Sequence, residues 1–291
     1  MPPCHLRTKL HKKSFSDDLT LLEKISLSKL QKKHRIIGPL DFHDRFNLTM
    51  PASESILQHQ LEDLKLFTIN QSMKLNSKKT KCLPFVRSKT KDFMPQLHLE
   101  DGNYLEVIYQ LKLVGIVITS SLTWQAHVDY TVSRVNAVIW QLVRFKNLGA
   151  PRTKLITLYI LKVRSILMFG SACYHSSLTL EQSRKLELQQ KRSLAVILGS
   201  DYRSYNNALT LTSLPRLDNL RETNCLKWAI KTQANPKHSD LFPLNLNNTR
   251  QTNKFIEQFC RGSKLYKSAI PSMIRALNKY HKEAKKKPVH K

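Results

Sequence analysis

Residues 111–142, LKLVGIVITSSLTWQAHVDYTVSRVNAVIWQL, hold the change of pattern that decides the fold class. Up to Thr119 the run Leu111–Thr119 is dense in Leu, Val and Ile, the composition of a strand. After Trp124 the apolar residues respace: Val128, Val132, Val135, Ile139 and Leu142 recur every three or four positions and make one stripe along a helix. Strands before this switch and helices after it predict an α+β protein, with a β-hairpin and a small antiparallel sheet followed by a mostly helical domain and a helical C-terminal region.

Working outward from the switch toward the N-terminus, Cys82–Val86, Gln96–Leu99 and Tyr104–Ile108 read as further strands. They are separated by Pro95 and by Asp101-Gly102, a hairpin-turn pair. A helix is expected from Ser55 to about Asn70, with Ser55 and Gln58 as a capping box and Leu57, Leu61 and Leu64 on one face. Residues 35–53 read as a long loop. Residues 14–23, SFSDDLTLLE, read as a hairpin turning at Ser16-Asp17-Asp18.

Toward the C-terminus, one helix starts near Pro151 and reaches about Phe169. The next opens on a Thr179/Gln182 capping box and stops at Gly199. A fourth spans about Leu217–Gln233, residues 235–263 read as a linker, and a last helix, Lys264–Tyr280, is interrupted at Pro271 before a basic tail. The organisation expected is 1–36 hairpin, 37–53 loop, 54–125 strands and helix, 126–200 helical domain, and 201–291 C-terminal helical region.

The 291 residues carry 48 Lys and Arg against 21 Asp and Glu, a formal charge of +27. Such a chain repels itself unless a polyanion neutralises it, and nucleic acid is the commonest one. No apolar stretch approaches the roughly 18 residues of a bilayer span, so no membrane partner is expected. The N-terminus lacks the apolar core of a secretory signal, and five dispersed cysteines suit a reducing compartment. Both point to an intracellular protein of nucleus or cytoplasm. Seven glycines leave no Gly-rich phosphate loop. There is no CxxC or HxxxH pair for zinc and no G-x-S-x-G elbow for acyl transfer.

Asp17-Asp18 is the only adjacent aspartate pair. On a tight turn two such carboxylates can hold a cation, as polymerases hold Mg²⁺; taken alone, such a pair more often caps a helix or lies solvated. The basic residues cluster as Lys74, Lys78, Lys79 and Lys81, then Arg134, Arg144 and Lys146. Arg152, Lys154, Lys162 and Arg164 follow, and then Lys191 and Arg192. On helices whose apolar stripes face inward, they would contact phosphates and set register without reading bases; the alternative is a solvated charged face.

Taken in order, these features resemble the reverse transcriptases of non-LTR (LINE-type, jockey-like) retrotransposons. Phe15-Ser16-Asp17-Asp18 is similar to the family's [FY]-x-D-D motif, and Asn70 to Lys81 to its asparagine-lysine segment. Lys112-Leu113-Val114-Gly115-Ile116-Val117-Ile118 with Leu122, Trp124 and His127 is similar to the primer-grip hairpin. Gly170, Tyr174-His175-Ser176, Gln182-Ser183 and Gln190-Lys191-Arg192 through Gly199 are similar to the thumb, and Arg261 to Pro271 to the C-terminal end. The resemblance implies an RNA-directed DNA polymerase portion with Asp17 and Asp18 as catalytic Mg²⁺ ligands and an RNA or RNA/DNA template–primer duplex as partner. The motif bearing the other essential aspartate is missing from this sequence, so the chain as it stands is expected to be inactive. A non-catalytic nucleic-acid-binding protein derived from the thumb, or a relic without function, are the alternatives.

Overall fold

The computed structural model describes residues 50–72, 76, 79–85, 96–99, 104–246 and 253–286. The 14–23 hairpin with Asp17 and Asp18, most of the 35–53 loop, Lys74, Lys78 and the Asp101-Gly102 turn lie outside the described residues. The described chain is α+β and mostly helical. Its described residues divide into two compact units, those up to 110 with 120–122, and 111–119 with those from 123 onward. The hairpin of the opening stretch therefore belongs to the helical unit.

In the first unit, α1 is Met50–Asn70. It begins earlier than the sequence suggests, because Pro51 falls in the first turn, where a missing N–H loses no hydrogen bond. Ser55 is thus inside the helix and caps nothing. Gln58 instead reaches the backbone of His98, donating to its carbonyl at 3.2 Å and accepting from its N–H at 2.9 Å. β1 (Lys81–Cys82) pairs parallel, not antiparallel, with β2 (Glu106–Val107). Pro84 has no N–H to donate, so the strand expected to run to Val86 stops short. A single bridge joins His98 to Tyr104. Leu97, Leu99 and Leu105 pack with Leu61 and Cys82 as a small core.

From Leu111 the chain belongs to the second unit, where β3 (Gln110–Leu113) and β4 (Ile116–Thr119) form a hairpin that turns at Val114-Gly115, with φ of 48° and 85°. Two successive left-handed residues match the right-handed twist of the strands. Gly115 has no side chain, and a Cβ there would stand 3.0 Å from the Phe169 ring. Helix α2 is Gln125–Asn147. Pro151, in extended conformation, leads into α3 (Arg152–Leu158), which continues through a π-helical segment (Tyr159–Arg164) into α4 (Ser165–Met168). Phe169 is extended and ends the run. α5 (Ser171–Tyr174) and a 3₁₀ turn (His175–Ser177) precede α6 (Leu180–Leu198). The Thr179/Gln182 capping box is present, with hydrogen bonds of 3.2 and 3.0 Å.

α7 (Tyr205–Thr212), capped by Ser204, was not foreseen; α8 is Leu217–Gln233. Val128, Val135 and Leu142 of α2, Leu155, Tyr159, Val163 and Leu167 of the α3–α4 run, and Leu186, Leu194 and Ile197 of α6 share the main core. Each large apolar side chain buried there contributes about 1.5–3 kcal/mol.

Two sequence expectations are corrected at the C-terminal end. Part of the stretch read as a linker, 235–263, carries a 3₁₀ segment (Pro236–Leu241) and buries Phe242 and Phe255 in a second core with Ala229, Met273, Ile274 and Leu277. The Asn278 amide holds Phe255 there, accepting from its N–H at 2.9 Å and donating to its carbonyl at 3.0 Å. α9 is Ser263–Tyr266 and α10 is Ala269–Lys286. Pro271 interrupts neither, because it sits in the first turn of α10. The stretch Arg152–Ser177, with a mean hydropathy of 1.5, reaches the length and composition of a bilayer span, contrary to the sequence reading. Its Leu155, Tyr159, Val163 and Leu167 supply the main core, and a core helix has the same composition.

Candidate nucleic-acid interface

Three of the motif residues, Trp124, His127 and Tyr174, meet in one place. His127 is buried and its Nδ1 accepts the Val117 N–H at 3.3 Å, tying β4 to α2. Its ring lies 4.8 Å from that of Tyr174, and Trp124 lies 5.7 Å from the same ring. The Tyr174 hydroxyl donates to the Leu167 carbonyl at 3.1 Å, and burial pushes it up to about 12. Burial also lowers the pKa of His127, so the imidazole stays neutral and keeps its acceptor.

A second polar centre lies around Glu187 and Arg221. Glu187 caps α8 by accepting from the N–H groups of Leu217 and Asp218, both at 3.2 Å, and from the Tyr205 hydroxyl. A carboxylate at a helix N-terminus is favoured by the orphan N–H groups and by the dipole. Arg221, fully buried, donates to Ser183 at 2.9 Å and His175 at 3.4 Å. Burial, its largest influence, lowers its pKa. Gln190 donates to the Pro215 carbonyl at 2.9 Å. Residues read as thumb-like thus hold the helices in place.

Against this frame the basic residues separate. Arg134, Arg144, Arg152, Lys154, Lys162, Lys191 and Arg192 are exposed on the second unit. Between Gln125 and Met168 the chain carries seven Lys and Arg and one acid, Asp129, which pairs with Lys185 at 3.7 Å. Arg164 is half-buried. Lys146 turns inward: its ammonium donates to the Val196 carbonyl in the last turn of α6, completing that helix end, and does not project as a phosphate ligand. Arg152 forms an exposed ion pair with Asp201.

Lys79, exposed, and Lys81, paired with Glu106, belong to the first unit. Sequence reasoning did not single out the aromatic partners of these cations. Arg144 lies 4.8 Å over Trp140, while Lys112 and Arg134 lie 4.5 and 5.7 Å from the Tyr130 ring centre. The four-residue spacing of Trp140 and Arg144, and of Tyr130 and Arg134, was the available signal. Among the described residues no group of His, Cys, Asp and Glu is arranged to hold a metal. Comparison with protein-family models, curated proteins and solved structures finds no match.

Proposed function

We propose that this chain is the thumb-containing C-terminal portion of an RNA-directed DNA polymerase of the non-LTR retrotransposon type, and that its helical unit binds a template–primer duplex through phosphates. The observation that carries the reading is the set of five exposed cations from Gln125 to Met168, Arg134, Arg144, Arg152, Lys154 and Lys162, against one acid, on helices whose apolar faces are buried. A phosphate backbone is the partner such a surface suits, and exposed Lys154, Lys162, Lys191 and Arg192 have the reach to meet it. The clustering of Val117, Trp124, His127 and Tyr174 supports the primer-grip and thumb assignments. Asp17 and Asp18 are the proposed Mg²⁺ ligands of a complete palm.

The test is the purified chain with an RNA/DNA template–primer, Mg²⁺ and deoxynucleotides. Binding independent of sequence, without incorporation, is expected. No binding at about 50 mM salt, where phosphate contacts are strong, refutes the reading. Incorporation abolished by Asp17→Ala refutes the expected inactivity.

A further inference from the structure

The outer face of α2 carries more than charge. Trp140 is 60% exposed on a helix whose opposite side buries Val128, Thr131, Val135 and Leu142. One face of its indole is covered by the Arg144 guanidinium at 4.8 Å. Nearly three turns away, about 15 Å along the axis at 1.5 Å per residue, Tyr130 stands with Arg134 and with Lys112 from the neighbouring β3. At 100° per residue, Tyr130, Arg134, Trp140 and Arg144 all project from the outward half of the helix. The only acid on α2, Asp129, is engaged by Lys185 and Gln125.

A large exposed indole among cations is poorly suited to a duplex, whose backbone presents phosphates and sugars and keeps its bases stacked within. It is well suited to an unpaired base. Base–aromatic stacking with an arginine on the other ring face, and phosphates carried by neighbouring cations, is how sequence-tolerant single-strand surfaces work. We infer that the outward face of α2 is a single-stranded nucleic-acid platform, with Trp140 stacking on a base and Arg134, Arg144 and Lys112 contacting the flanking phosphates. The inference rests on the nucleic-acid-binding reading and adds to it a second, unpaired substrate segment beside the duplex. RNA and DNA share the stacking and phosphate chemistry.

The experiment measures fluorescence anisotropy of labelled 12-nucleotide oligo(U), oligo(dT) and a blunt 12-base-pair RNA/DNA duplex against the full chain. Trp140→Ala is expected to weaken both single strands about tenfold, leaving duplex affinity and salt slope unchanged. Trp140→Phe, which keeps a stacking ring, is expected to restore most of the loss. Three results overturn the inference: single strands bound by Trp140→Ala as tightly as by wild type, duplex lost in parallel, or a wild-type dimer that Trp140→Ala dissociates in sedimentation. Wild-type chain binding none of the three probes refutes the underlying reading as well.

Discussion

Replacing Glu187 with alanine tests whether the helical unit is held by its buried polar centre. Glu187 is 6% exposed, so water cannot substitute for it. Its removal strands the N–H groups of Leu217 and Asp218 and the Tyr205 hydroxyl, and deprives buried Arg221 of a nearby negative charge. A buried donor left unpaired costs about 1–3 kcal/mol, and breaking a buried charged arrangement about 3–5 kcal/mol in all. At roughly 2–4 °C per kcal/mol for a unit of this size, Glu187→Ala should melt about 6–20 °C below wild type. Glu187→Gln keeps one acceptor but turns an amide toward the second N–H, so it should fall between. The control is Arg152→Ala, whose partner Asp201 shares an exposed pair with side chains 43% and 54% accessible; its loss should cost at most about 1 kcal/mol. Circular dichroism melts of the three variants are the assay. A Glu187→Ala midpoint within about 2 °C of wild type refutes the reasoning.

The hairpin turn offers a gain. Val114 is 84% exposed at φ 48°, a conformation that disfavours branched residues by about 1–2 kcal/mol, so Val114→Asn should raise the melting midpoint by a few degrees, and a lowered midpoint contradicts the turn assignment. His127 predicts a pH dependence. Burial holds its pKa below the usual 6.5, so the stability it contributes is present above that value and is lost as pH falls below it. The stability difference between wild type and His127→Asn should therefore shrink between pH 7 and pH 5; parallel curves would contradict it. Lys146→Met should lower stability without altering the salt dependence of nucleic-acid binding, since its ammonium serves the end of α6. A flattened slope in this variant would return Lys146 to the interface.

Long periodic elements were legible because each buries one apolar stripe. The stripe from Val128 to Leu142 defined α2, and the Thr179/Gln182 box fixed the start of α6. What depends on tertiary partners was not legible. Ser55 and Gln58 have the spacing of a capping box, but Gln58 is claimed by the His98 backbone forty residues away. Phe242 and Phe255 sit in polar sequence, and only the Asn278 amide and α10 give them a core. Pro271 looks like a break in the sequence because nothing local shows that a helix begins only two residues before it. In the interface, charge counting treated Lys146 like Arg144. The sequence alone does not tell an ammonium that ends a neighbouring helix from a guanidinium lying on an exposed indole.

The central claim is that the exposed cations of the helical unit bind phosphates. The measurement that tests it most directly is the affinity of the full chain for an RNA/DNA duplex between about 50 and 300 mM salt, for wild type and for Lys154→Ala/Lys162→Ala. Both lysines are exposed and form no ion pair among the described residues. Phosphate binding predicts a steep inverse dependence on salt in the wild type, and a slope flattened in the double variant by about two units, at roughly 0.9 per contact, with an unchanged melting midpoint. Wild-type binding that does not change with salt, or a double variant with the wild-type affinity and slope, would contradict it.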